Sequence, residues 1–213
     1  MYAIITDGSI SKYVNHPKPL VIGDVQYPAR IFSAWTASEL AAIGIIEVTF
    51  DNSNKKDEQW YINTDQTYTY DASAGTVTAA YGTATAKAHA DTLYTQEDVD
   101  DDVDDNGDRI NDFSVGDVAI RGLKYNLIQN LKSEVANELA RTDWYITRNT
   151  EKSTAIPSAI STHRDAVRTK QAEMETAITN ASNTPALETL YTYTEQEDGS
   201  VTRPLGELPE LES

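Results

Sequence analysis

The stretch Asp102-Val-Asp104-Asp-Asn106-Gly-Asp108 sets oxygen-bearing side chains at alternate positions, with a glycine among them. That spacing is the opening of a calcium loop. Alternate residues of a tight turn converge on one hard cation, and Gly permits the bend. The pattern then breaks. Phe113 stands where a bidentate Glu should close the loop, Asp112 comes one place early, and Arg109 replaces the apolar anchor after Asp108. Residues 95–117 carry ten Asp and Glu against one Arg. Like charges at that density repel and stay solvated. Two readings stand: a calcium site at Asp102, Asp104, Asn106 and Asp108, or a solvated acidic linker.

Other chemistry is sparse. His16, His89 and His163 are far apart, and none has metal-ligand spacing to another His or to a thiol. His163, between Thr162 and Arg164, is expected on an exposed helical surface. No serine lies in a nucleophile elbow, and the glycines stand singly rather than as a phosphate-binding loop. There is no cysteine, which excludes disulfides and thiol chemistry. The expectation is a non-enzyme with no cofactor unless calcium binds.

The net charge of −17 argues against nucleic acid, whose phosphates need clustered Lys and Arg. Residues 118–170 are the exception at about +4. They can pair with an acidic segment or simply form a mixed solvated helix surface. No run of 18 apolar residues exists, so no membrane span is expected. The opening MYAIITDGSI lacks the basic and apolar regions of a secretory signal.

The elements that would carry these residues fall into an α+β arrangement: a small β-rich N-terminal domain with one short helix, an acidic linker, and a C-terminal α-helical hairpin. Asp7-Gly8 between Tyr2–Ile5 and Ser9–Tyr13 is a hairpin signal. Thr36 and Glu39 form a capping box, and Gly44 offers a helix stop. Ile45–Phe50, Trp60–Ile62, Thr67–Asp71 and Thr76–Tyr81 read as strands. The Ala-rich stretch from Thr83 to Leu93 is expected to begin a helix.

Domain bounds follow as 1–94, an acidic linker 95–116, a helical hairpin 117–194 and an extended acidic tail 195–213. In the hairpin, Ile120, Leu123, Leu127, Leu131, Val135 and Leu139 form one stripe at helical spacing. Ile160, Val167, Met174 and Ile178 form another, beginning after Pro157. Between them lies an elbow, Asn137–Arg168, with a polar connector of about 15 residues. Two such helices should pack antiparallel.

Trp144 and Tyr145 in the elbow are either a core anchor or a partner-binding pair. The same choice applies to Trp35 and Trp60. Trp and Tyr dominate interface hot spots. Asp143, Arg148, Arg164 and Arg168 are placed to form ion pairs across the elbow.

The elbow resembles the C-terminal helical segment of tailed-phage tail-fibre and tail-fibre-assembly proteins. The residues are Thr142-Asp143-Trp144, Arg148 with Glu151, Ile156-Pro157, and Arg164 with Val167-Arg168. Arg203-Pro204-Leu205-Gly206 adds a weaker match. The resemblance spans about residues 120–182. The opening MYAIITDGSISKY with the later WTASELAAIGI also resembles the start of small phage virion proteins.

The resemblance implies a non-enzymatic structural protein of the phage tail, in the fibre, baseplate or an adaptor, made in the host bacterial cytoplasm and retained in the virion. Its partners would be other tail proteins, with a homo-oligomer expected. The alternative is a dissociable tail-fibre assembly chaperone that is not retained.

Overall fold

A computed structural model describes residues 1–211 and gives an α+β protein of two compact units, the first of residues 1–85 and the second beginning at residue 86.

In the first unit, β1 (Tyr2–Thr6) and β2 (Ser9–Val14) form the expected hairpin. Asp7 and Gly8 both have positive φ (50° and 74°), as a type I′ turn requires. The hairpin β3 (Leu20–Ile22) and β4 (Val25–Tyr27) follows, then a short helix that the sequence pattern did not announce, α1 (Ile31–Ala34). Next is α2 (Ala37–Ala42). The Thr36–Glu39 capping box forms, with the Thr36 N–H donating to Glu39 Oε2 at 2.7 Å. Gly44 ends the helix at φ 78°, and a Cβ there would lie 2.7 Å from the Ile5 carbonyl oxygen.

The remaining strands are β5 (Ile45–Asp51), β6 (Tyr61–Ile62), β7 (Gln66–Asp71), β8 (Thr76–Tyr81) and β9 (Thr85–Ala86). The main sheet has the order β2-β1-β5-β8-β7, with only β5 and β8 parallel. One face packs Ile4, Val14 and Ile45 against Leu20, Ile31, Phe32 and Leu40 from β3, α1 and α2. The other face gathers the small residues Ala3, Val48, Val77 and Ala79. The sheet curls around this second face. A bulge in β1 at Ile4/Ile5 adds to the bend, and the two edge strands touch through Tyr13 and Tyr68, ring centroids 4.7 Å apart.

In the second unit, β10 (Thr92–Leu93) pairs with β11 (Val118–Ile120). Residues 94–117 leave between these strands as a closed excursion that includes α3 (Gln96–Asp101). The acidic run expected as the linker 95–116 therefore lies within this unit, and the division between units falls at 85/86. The helix expected near Thr83–Leu93 is replaced by β9, β10 and loop.

The long helices are α4 (Leu123–Ala140) and α6 (Ser158–Asn180), with α5 (Asp143–Lys152) between them. Next are α7 (Thr184–Tyr191) and the hairpin β12 (Thr194–Glu195) and β13 (Val201–Thr202). Both expected stripes bury their centres: Leu127, Leu131 and Val135 on α4, and Ile160, Val167, Met174 and Ile178 on α6. The helices run antiparallel. Lys124 at the start of α4 donates to the Thr179 carbonyl near the end of α6 (2.7 Å), while Glu138 near the end of α4 meets His163 near the start of α6.

Ile120 is not helical as expected. It sits in β11, 65% exposed, and α4 starts only after Gly122. The first N–H groups of α4 are taken from outside the helix, by Asp91 Oδ1 (from Gly122, 2.8 Å) and the carbonyls of Ala88 (from Leu123, 2.9 Å) and His89 (from Lys124, 3.0 Å).

The extended tail expected over 195–213 is folded where it is described. Leu205 is buried, and its N–H donates to the Leu190 carbonyl at 3.0 Å. The Arg203 guanidinium lies over both Tyr191 (5.3 Å) and Tyr193 (5.2 Å) and pairs with Glu207 at 2.8 Å.

Candidate functional site: an aromatic corner held by a buried arginine

The connector between α4 and α6 is largely helical, as α5, rather than loop. Its ten residues include no buried side chain. A helix of that length without a packed face is marginal alone, so its footing matters.

The footing is Arg164 on α6, which is 8% exposed. Its Nη1 donates to the Leu139 carbonyl (2.8 Å), Thr142 Oγ1 (2.7 Å) and Asp143 Oδ1 (2.8 Å). Thr142 is 1% exposed, and its hydroxyl donates to the Leu139 carbonyl at 3.0 Å. One cation thus closes the C-terminus of α4, fixes the corner residue and holds the first residue of α5. A cation at a helix C-terminus also suits the helix dipole.

At the residue just before Arg164, His163 Nε2 lies 3.1 Å from Glu138 Oε1. His163 is 7% exposed, which corrects its expected surface position. It shares α6's inward face with Ile160, Arg164 and Val167, and Glu138 supplies the partner that a buried imidazole needs. Glu138 is held below the usual carboxylate range, mainly by its hydrogen bond from Arg141, with the charges of Arg141 and His163 helping.

Of the ion pairs expected across the elbow, Asp143–Arg164 forms. Arg168 instead meets Asp165 on its own helix at 3.4 Å. Arg148 lies over the Trp144 ring at 5.1 Å.

Trp144 is 52% exposed, so it is not the core anchor of the corner. Its indole stacks parallel on Tyr145 (centroids 4.7 Å, 3° between planes). With Thr147, Arg148, Glu151 and Lys152 it lines an open concavity of about 420 Å³. A flat aromatic pair beside cations offers a surface for apolar and anionic groups together.

Trp35 is 37% exposed, edge-on to Tyr27 at 5.9 Å, beside a small cavity of about 110 Å³ lined by Tyr2, Phe32 and Leu40. Trp60, in contrast, is buried at 3% and is the core anchor among the three tryptophans.

The acidic residues do not converge. Asp102 accepts from the Asn111 side chain (2.6 Å) and N–H (2.8 Å), with Arg109 3.5 Å away. Asp104 Oδ1 accepts the N–H groups of Asn106 and Asp108, both at 2.9 Å. Those bonds hold the Asp104 carboxyl below its ordinary range. The carboxylates shape a turn, with Gly107 at φ 85° and a bridge between Val103 and Arg109, while Asn106 and Asp108 stay exposed. Among the described residues, no group of three or more His, Asp or Glu is placed to hold a metal ion.

Sequence reasoning missed the Tyr191–Arg203–Tyr193 clamp. Its only trace was the Arg203-Pro204-Leu205-Gly206 run. Burial raises the Tyr191 hydroxyl to about 12, against the opposing pull of Arg203. No helix among the described residues is long and apolar enough to cross a membrane. No family model matches the chain, and no curated protein and no solved structure matches it either.

Proposed function

We propose that this chain is a non-enzymatic structural protein of a bacteriophage tail, a fibre, baseplate or adaptor component that docks to other tail proteins. The observation that supports this reading is the corner itself. The residues that carry the resemblance to tail-fibre and tail-fibre-assembly proteins include Thr142, Asp143 and Arg164, and these three meet in one hydrogen-bonded lock. The lock leaves Trp144 exposed beside Tyr145 and Arg148. The corner is thus a mount for an exposed tryptophan stacked on a half-buried tyrosine, as a docking protein needs.

Mass spectrometry of purified virions tests the reading. The expected result is the intact chain at a fixed copy number relative to tail proteins. Its presence in infected cells but absence from finished particles would overturn retention and favour the dissociable chaperone.

A further inference from the structure

Two elements of the second unit carry no buried apolar side chain. One is α5. The other is the excursion 95–117, from α3 to β11. Both are nonetheless held in defined shapes: α5 by Arg164, and the excursion by the Asp102 and Asp104 hydrogen bonds and by Tyr94 stacked on Phe113 at 3.7 Å.

Each also exposes apolar side chains. Trp144 is 52% and Ile146 38% exposed on α5, while Ile110 is 61% and Val115 54% exposed on the excursion. Contiguous uncovered apolar groups mark contact surfaces, and on α5 Trp144 is joined by the stacked Tyr145.

Their charges differ: α5 balances Arg148 and Lys152 against Asp143, which Arg164 holds, and Glu151. The excursion has ten acidic residues against Arg109, whereas Arg141 to Lys170 has six basic residues against three acidic ones. On the α5 face, Arg148 and Lys152 flank Trp144, with Glu151 the one acid among them.

We propose that the exposed face of α5 is a docking surface for the acidic excursion of a second copy of this chain. Ile110 or Val115 covers the Trp144–Tyr145 stack, and excursion carboxylates meet Arg148 and Lys152. The contact joins two different patches, so it is heterologous, and repeated contacts build a ring or a filament. This choice of partner for the docking face does not depend on the tail assignment.

The net charge of −17 makes association depend on salt in a distinctive way. At low ionic strength, whole-chain repulsion opposes contact. At high ionic strength, the local ion pairs weaken. Association should therefore peak at intermediate salt.

The experiment is sedimentation of the full chain from about 0.01 to about 1 M NaCl, over which the screening length falls from about 30 to about 3 Å. Two variants accompany it. R148E/K152E reverses the docking face, and D105K/D112K reverses exposed positions of the excursion. Each alone should associate more than about 100-fold more weakly, because like charges then face each other. An equimolar mixture of the two should associate again, since each supplies the partner that the other lacks.

Circular dichroism checks that each variant is folded. A wild-type chain that stays monomeric across the salt range overturns the inference, as does association that both variants retain or a mixture that fails to recover. None of those results bears on whether the chain is present in virions. Equally, absence from virions leaves this association untouched.

Discussion

Replacing Arg164 with Ala tests whether a buried cation, rather than an ion pair, holds the corner. Asp143 is its formal counter-charge, but the Asp143 side chain is 60% exposed. An ion pair with one partner that open contributes at most about 1 kcal/mol. The other two acceptors are different. Thr142 is fully enclosed, and the Leu139 carbonyl belongs to the last turn of α4. Hydrogen bonds from a charged donor to such groups contribute about 1.5–3 kcal/mol each and do not add fully. The Arg164 stem also leaves a gap when cut back. Arg164→Ala should therefore cost about 2–4 kcal/mol. Asp143→Ala should cost less than about 1 kcal/mol.

Urea unfolding of the two variants measures the difference. Hydrogen exchange then locates it, and α5 amides should lose protection first in Arg164→Ala. Equal losses for the two variants would refute the reasoning, because the exposed ion pair would then be the main hold on the corner. So would an Arg164→Ala chain within about 0.5 kcal/mol of wild type, the range of an ordinary surface change.

Trp144→Ala should leave the melting of the lone chain within about 0.5 kcal/mol of wild type, whereas Trp60→Ala should cost about 3–5 kcal/mol; thermal or urea unfolding of both reads this contrast. Gly122→Ala should destabilise by about 1–3 kcal/mol, because the new Cβ would strike the Ala90 carbonyl, and denaturant midpoints measure it. Tyr191, raised to about 12, favours its neutral form in the folded chain. Its contribution is full below about pH 10 and falls as pH rises from there to about 12, because the unfolded phenol ionises first. Tyr193 is raised as well, chiefly by its hydrogen bond to Glu207, so phenolate absorbance should show more than one tyrosine titrating late, and Tyr191→Phe should remove the part near pH 12. Calcium added to the chelated protein should leave its melting curve unchanged, because Asp102 and Asp104 already serve the excursion's own amides.

What the sequence made legible was mostly local. Asp7-Gly8, the Thr36–Glu39 box and Gly44 each act within a few residues, and each appears where read. The two apolar stripes were legible because burial repeats at helical period over many turns. The misses share another cause. The start of α4 depends on Ala88, His89 and Asp91, which come from a strand connection no periodicity announces. The connector became helical although it has no buried face, because Arg164 holds its first residue from another helix. His163 looked exposed because its flanks are polar, and Glu138, 25 residues earlier, supplies what burial requires. The acidic run looked unfolded by charge count. Its carboxylates instead accept backbone N–H groups, a use that composition does not reveal.

The Tyr13–Tyr68 contact has a consequence for how this protein meets other chains in a concentrated solution. An open sheet has two unpaired borders, each a template for a foreign strand. Here β2 and β7 are those borders, and the curl turns their side chains towards each other until the rings touch. A strand entering between them must first separate the paired phenol rings and displace the Met1 sulphur that Tyr68 also reaches. The seam therefore works as a stopper against runaway strand pairing. Tyr13→Ser would open it, leaving the rest of the sheet unchanged while shortening the time to visible aggregation.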